Sequence, residues 1–141
     1  MNISPELLDE VVAHALEDPG NEVCGVVVVA ADGPPPAPGA ARAVRVHRAT
    51  NIHASPLKFE IDPKELIALY NAIEEEGHAL GAIYHSHVRS EPYPSQTDVN
   101  FAANWPGVEW IIIGLAGDQE PKTRSYLIEH GEVREVPLQA G

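Results

Sequence analysis

The order of apolar segments along this sequence predicts an α/β fold, a mixed β-sheet flanked by helices, and three observations carry that reading. Compact, largely apolar runs at 23–30, 79–84 and 109–115, the first of them rich in β-branched residues, have the length and composition of buried strands. Interleaved with them are segments that begin with helix-start chemistry: Ser4-Pro5-Glu6, Asp62-Pro63-Lys64-Glu65 and Ser95-Gln96-Thr97-Asp98. Near the C-terminus two strand-like stretches are separated only by His130-Gly131, a short hairpin-like turn.

Each element follows from local chemistry. Ser4 is an N-cap, Pro5 the first helical residue and Glu6 an acid in the first turn, and Leu7, Leu8, Val11, Val12 and Leu16 recur at helical spacing. Pro19-Gly20 ends this helix, and a buried strand runs from Val23 to Ala30, so Glu22 lies at its entrance. The stretch 33–39, with four prolines and two glycines, has no capacity to pack and reads as a mobile connection between neighbouring strands. The second strand is expected over 43–49, where Val44 and Val46 alternate with Arg45 and His47, and a third, short one over 57–61. Asp62 then caps a helix with Pro63 at its first position, continuing through Leu66, Leu69, Tyr70 and Ile73 to Gly77. After the strand 79–84 comes a helix over 96–104, stopped by Pro106-Gly107, and then strands over 109–115, 122–129 and 132–136. The predicted order is α-β-β-β-α-β-α-β-β-β.

A chain of 141 residues with 44% hydrophobic composition is long enough for one domain, 1–141, with its own core. Nine basic against 21 acidic residues leave a net charge of −12, which repels a phosphate backbone and argues against a nucleic-acid partner. No basic n-region precedes an apolar segment at the N-terminus, and no apolar run approaches the ~20 residues needed to span a bilayer, so a cytoplasmic protein is expected. Cys24 is the single cysteine, which excludes an internal disulfide and a cysteine-rich zinc site; its expected use is as a small apolar residue on a buried strand, on the same face as Glu22.

The chemistry concentrates in Gly81-Ala82-Ile83-Tyr84-His85-Ser86-His87 and, after seven residues, Ser95-Gln96-Thr97-Asp98. His85 and His87 stand at the downstream end of a buried strand. Residues i and i+2 share a strand face about 6.6 Å apart, close enough for two imidazoles to converge on one ion, while Ser86 points to the other face. Pro92 and Pro94 stiffen the following loop, which delivers Ser95 and Asp98 at the spacing of a helix start. Asp98 supplies an oxygen, or else serves only as the acid of a helix cap; with it, two nitrogens and one carboxylate make an open three-ligand site of the kind catalytic zinc uses. Zinc follows from the ligand types, which other divalent ions share. His14, His47, His53, His78 and His130 have no partner spacing and are expected at the surface, and Trp105 and Trp110 are expected to pack. Asn51 lies after the second strand, where it either bonds a substrate backbone or makes a turn.

His85-x-His87, then ten residues, then Asp98, with Ser95 three before it, resembles the JAMM motif of the MPN-plus (Mov34/Pad1-like) metalloproteases. That family also uses a glutamate near the first strand, and Glu22 in Asn21-Glu22-Val23-Cys24-Gly25 occupies that place; read alone it would be a solvated acid in a turn. The resemblance covers most of the chain and implies the JAB1/MPN fold, related in layout to cytidine deaminases. It implies a zinc-dependent amide hydrolase in which His85, His87 and Asp98 hold the metal, Glu22 is the general base that later protonates the leaving amine, and Ser95 helps stabilise the oxyanion. A nucleoside deaminase is disfavoured, since one cysteine cannot build a His/Cys/Cys site. A non-catalytic MPN scaffold is disfavoured because all five motif positions are intact.

The connections around the site are short, as in stand-alone prokaryotic members. Tyr84-His85-Ser86-His87 with Glu91-Pro92-Tyr93-Pro94-Ser95 is similar to the actinobacterial type that frees cysteine from the C-terminus of a ubiquitin-like sulfur carrier, which implies that carrier, with its Gly-Gly tail, as partner. The alternative of the same class is an isopeptidase that removes ubiquitin-like modifiers from protein lysines.

Overall fold

The computed structural model describes residues 1–117 and 120–140. In chain order the elements are β1 (Asn2–Ile3), α1 (Pro5–Glu17), β2 (Cys24–Ala30), β3 (Ala43–Ala49), α2 (Pro63–Glu75), β4 (His78–His87), α3 (Gln96–Ala102), β5 (Glu109–Gly114), β6 (Lys122–Glu129), β7 (Glu132–Val136) and β8 (Gln139–Ala140). Six strands form one sheet in the order β3-β2-β4-β5-β6-β7, and β1 pairs with β8 in a separate two-stranded ribbon. Every neighbouring pair in the large sheet is antiparallel except β4 and β5, which run parallel with His85 opposite Ile112 and His87 opposite Gly114. A parallel pair needs a crossover, and the chain uses α3 for it. The sheet is therefore mixed and flanked by helices, as the sequence predicts.

Alternation along the strands sorts the core into two faces. Cys24, Val26, Val28, Ile83, Trp110, Ile112, Tyr126 and Ile128 face α2 and α3, where Leu66, Ile73 and Ala102 meet them. Val27, Val29, Ala82, Tyr84, Ile111 and Ile113 face α1, packing with Val11, Ala15, Met1 and Ile3. Burial on both faces is why the central strands read as continuous apolar runs. The helix starts form as their sequences dictate: Ser4 accepts the amide of Leu7 with Pro5 next, and Asp62 accepts that of Lys64 with Pro63 next.

Three elements differ from expectation. The predicted strand over 57–61 makes only one bridge, Asn51 to Ile61, because the side chain of Asn51 satisfies the backbone of this stretch that a ladder would otherwise use. The helix expected to reach Asn104 ends at Ala102, where bonds from Asn104 to Phe101 and from Trp105 to Ala102 tighten the last turn to three-residue spacing. The ribbon of β1 and β8 has two residues per strand, too short to leave a periodic signal. The proline-rich connection is mostly exposed, but its end is tied down where the Asn2 amide donates to the Ala41 carbonyl at 2.7 Å. Among the described residues no helix is long and apolar enough to cross a membrane.

Candidate metal and catalytic site

The C-terminal end of β4, the start of α3 and the stretch before β2 meet at one point. His85 and His87 project from the α2/α3 face of β4, as their i, i+2 spacing requires, and their Nε2 atoms lie 3.1 Å apart. Asp98 Oδ2 stands 3.1 Å from His85 Nε2 and 3.3 Å from His87 Nε2. Tetrahedral ligands at about 2.0–2.1 Å from zinc are separated from one another by about 3.3 Å, so this triangle has the dimensions of three corners around such an ion. The chemistry of the donor set fits as well. Lone-pair atoms converging in a buried space repel one another unless a proton or a cation lies between them.

Ser95 and Asp98 form the helix cap, and the same Asp98 carboxylate faces the histidines. Ser95 caps α3: its Oγ accepts the Asp98 amide at 3.2 Å, and its own amide donates to Asp98 Oδ2 at 2.9 Å, closing a capping box. The cap aims the carboxylate at the histidines. Because Ser95 is exposed and its Oγ acts there as an acceptor, its hydroxyl proton remains available to a ligand.

The loop 88–95 adds the outer contacts. His87 Nδ1 donates to the Glu91 carbonyl at 2.9 Å, which fixes the tautomer that turns the Nε2 lone pair inward. Tyr126 donates its hydroxyl to the Pro92 carbonyl, and Gly114 leaves room for the loop: a Cβ there would lie 2.8 Å from Pro92 Cδ. Phe59 stacks on His85 with centroids 4.3 Å apart and an interplanar angle of 22°. His85 Nδ1 is buried with no hydrogen-bond partner among the described residues.

Glu22 lies two residues before Cys24, the first paired residue of β2, and its ligand atom lies within 4.8 Å of those of both histidines. Among the described residues its carboxylate makes no hydrogen bond, and only 7% of the residue's surface is exposed. Burial pushes its pKa up to about 7, with the Asp98 charge adding to the rise and His87 opposing it. It is held from the backbone. The Glu22 amide donates to the Ser55 carbonyl at 2.8 Å, and the Glu22 carbonyl accepts from Asn51 Nδ2 at 3.0 Å. Beyond it, the Val23 amide donates to Ser86 Oγ at 2.9 Å, so Ser86 does point away from the histidines, as its position predicts, and ties the two strands together.

The charges are set by these contacts. His85 is held below its ordinary pKa, chiefly by complete burial and against the pull of Asp98. His87 is raised: burial works against the charged form, but bonds to Asp98 and the Glu91 carbonyl, with the Asp98 and Glu22 charges, outweigh it. Asp98 lies well below the carboxylate range despite its burial, because His85, His87 and the Ser95 amide all favour its anion. The site thus holds one permanent carboxylate, one adjustable carboxylate and two imidazoles.

The five residues expected from sequence are therefore gathered in one place. Cys24 pairs with His85 across the ladder, on the shared face, but burial above all, and then Glu65 and Glu22, push its thiol up to about 12. Sequence reasoning passed over Phe59, Tyr126 and Gly114. An aromatic residue in a loop, a strand tyrosine and a glycine at a strand end give no signal of a shared site until the fold places them. His14, expected at the surface, is half-buried and sits 2.6 Å from the Tyr84 hydroxyl, because α1 covers the sheet at that point; His78 is also half-buried, at the start of β4. Trp110 is fully buried and Trp105 half-buried, both packed against other aromatic rings as expected.

A mixed sheet that presents two strand histidines and a helix-capping aspartate beside a buried glutamate points to a class, hydrolases with a cluster able to bind a metal, here at the end of β4. Residues 4–129 match the Prok-JAB family, prokaryotic homologues of the JAB domain, and the chain belongs to that family, a JAMM-type peptidase with the JAB/MPN fold. It is similar to the CysO-cysteine peptidase of Mycobacterium tuberculosis, 34% identical over 136 residues that cover 96% of this chain and 88% of that protein. It is similar also to a probable TtuB-protein conjugate cleaving protease of Thermus thermophilus, 33% identical over 127 residues, 89% of this chain and 74% of that one. Among solved structures, a protein from Desulfitobacterium hafniense matches with a TM-score of 0.80 and 28% identity, covering 99% of this chain and 93% of that one.

Proposed function

We propose that this peptidase hydrolyses the amide bond after the C-terminal Gly-Gly of a ubiquitin-like sulfur carrier, releasing a C-terminal amino acid, cysteine, with residues 1–141 acting as one catalytic domain. The observation that carries the reading is the triangle of His85 Nε2, His87 Nε2 and Asp98 Oδ2, with sides of 3.1 to 3.3 Å, set beside the carboxylate of Glu22. The likeness to a CysO-cysteine peptidase over nearly the whole chain supports the choice of substrate.

The residues divide the work. His85, His87 and Asp98 would hold zinc, which when bound supplies Lewis acidity, polarising a carbonyl and making water acidic near neutral pH. Glu22, whose carboxylate makes no other bond among the described residues and whose proton affinity burial raises, takes a proton from the attacking water and returns it to the leaving amine. Ser95 donates its free hydroxyl proton to the oxygen that gains negative charge as the amide carbon becomes tetrahedral. Glycine in the substrate tail lets its backbone come close, since no Cβ stands in the way. The edge strand β3 ends at Ala49, which pairs with Cys24, two residues from Glu22, so an extended tail added to that edge is led to the site.

The test is mass spectrometry of sulfur carriers that end in Gly-Gly-Cys, incubated with zinc-loaded protein and with Glu22→Gln. Loss of one cysteine residue with the wild type alone is the expected outcome; no cleavage of any carrier by protein shown to contain zinc overturns the reading. The likeness to a conjugate cleaving protease favours a second reading, cleavage of isopeptide bonds between ubiquitin-like modifiers and protein lysines. Release of a whole protein instead of an amino acid from matched conjugates would select it.

A further inference from the structure

The amide of Asn51 uses all of its ordinary hydrogen-bonding capacity on this chain. Nδ2 donates to the carbonyls of Glu22 and Lys58, each at 3.0 Å, while Oδ1 accepts the amides of His53 and Glu60, each at 3.1 Å. Three of these bonds stay within 51–60, and turn chemistry accounts for them. The fourth does not belong to the turn. It reaches Glu22, 29 residues earlier in the chain.

Glu22 takes no part in the tie to β4 that its neighbour Val23 makes through both peptide groups with Ser86. It lies outside the ladder of β2 and its carboxylate is unbonded, so the direction of that carboxylate depends on how its own peptide groups are held. Both are held by the loop that Asn51 organises: the amide by Ser55, the carbonyl by Asn51. The same loop carries Phe59, stacked on His85, so one segment sets the base and one wall of the metal site together. With two donors and two acceptors committed, Asn51 has nothing left for a substrate backbone.

We infer that Asn51 is a positioning residue, whose side-chain amide fixes the backbone of Glu22 and thereby keeps the Glu22 carboxylate beside the two histidines. The inference rests on the reading of Glu22 as the base. It assigns Asn51 no contact with substrate or metal.

Asn51→Asp separates this role from turn-making. Aspartate still accepts the amides of His53 and Glu60 but has no N–H for Glu22 or Lys58. In a cycle with Glu22→Gln, assayed on a carrier ending in Gly-Gly-Cys, Asn51→Asp is expected to lower kcat by about 10–100-fold. KM and zinc affinity should stay within about twofold, and the Glu22→Gln background should show no further loss, as for groups that act through one another. Equal losses in both backgrounds would mean a general structural role and overturn the inference. A readout independent of activity is hydrogen exchange at the Glu22 amide, which should lose protection at least tenfold in Asn51→Asp; unchanged protection also overturns it. If the wild type cleaves no carrier, the proposed substrate fails and the kinetic cycle moves to lysine-linked conjugates, while the exchange measurement still decides whether Asn51 holds Glu22. Asn51→Ala, which deletes all four bonds, should exceed Asn51→Asp in exchange, and an Ala variant that folds with Glu22 protected would equally refute the role.

Discussion

Replacing Glu22 by Gln in metal-free protein should change how stability depends on pH, and the structure sets the sign and size of the effect. In the unfolded chain the carboxyl releases its proton near its ordinary value of 4.5; in the folded protein burial, reinforced by Asp98, raises it to about 7. Between these values the folded state binds more protons than the unfolded state, so stability falls as pH rises through that window. Whatever this group contributes is present below pH ~4.5 and lost above pH ~7. At about 1.36 kcal/mol per unit the ceiling is about 3.4 kcal/mol, and solvent reaching the carboxylate reduces the expectation to about 2 kcal/mol. Glutamine has no charge to bury and escapes the penalty. Urea unfolding after chelation should therefore find Glu22→Gln and wild type similar near pH 4.5, and the variant more stable by about 2 kcal/mol at pH 8. With zinc present the gap should narrow, because a nearby cation favours the glutamate anion. A difference between variant and wild type that stays constant from pH 4.5 to 8 in metal-free protein would refute the placement of this carboxylate in a buried, unbonded position.

Zinc added to chelator-treated protein should raise Tm, by the equivalent of about 4 kcal/mol at a thousandfold excess over Kd, and His87→Ala should abolish most of the rise in a thermal melt. Gly114→Ala places a Cβ 2.8 Å from Pro92 Cδ and 3.1 Å from Pro92 N, so the loop must move and His87 should lose the Glu91 carbonyl. Competition with a zinc indicator is expected to show about 10–100-fold weaker binding. Ser95→Ala should cost about 1 kcal/mol of stability through the lost cap and about 100–1,000-fold in kcat through the lost donor. Ser95→Thr, which keeps the hydroxyl, should restore the stability, and a variant lacking any hydroxyl that retained full kcat would remove Ser95 from the chemistry.

What could be read from the residue order was whatever depends on short spacing. Alternation along a strand put His85 and His87 on one face and Ser86 on the other, because successive side chains of a strand point to opposite sides. A serine three residues before an aspartate marked a helix start, because that spacing closes a capping box. The helices and the long strands were legible for the same reason, their hydrophobic period being local. Glu22 was legible only through the family resemblance, since an acid in a turn has no local signature.

Tertiary structure decided the rest. Whether Asp98 served only as a cap or also faced the histidines depended on the parallel pairing of β4 with β5, which brings α3 back over the end of β4. The predicted strand over 57–61 became a loop because Asn51 took up its backbone groups, a competition between side chain and ladder that propensity does not register. His14 has a polar helix residue's sequence context, yet α1 packs it against the hydroxyl of Tyr84. The raised pKa of Glu22 likewise comes from burial and, against the opposing pull of His87 on β4, from the Asp98 charge that α3 brings in from far away in sequence. Sequence alone determined which groups were available and which faces they shared; only the folded chain determined the distances between them, because those are fixed by contacts between segments tens of residues apart.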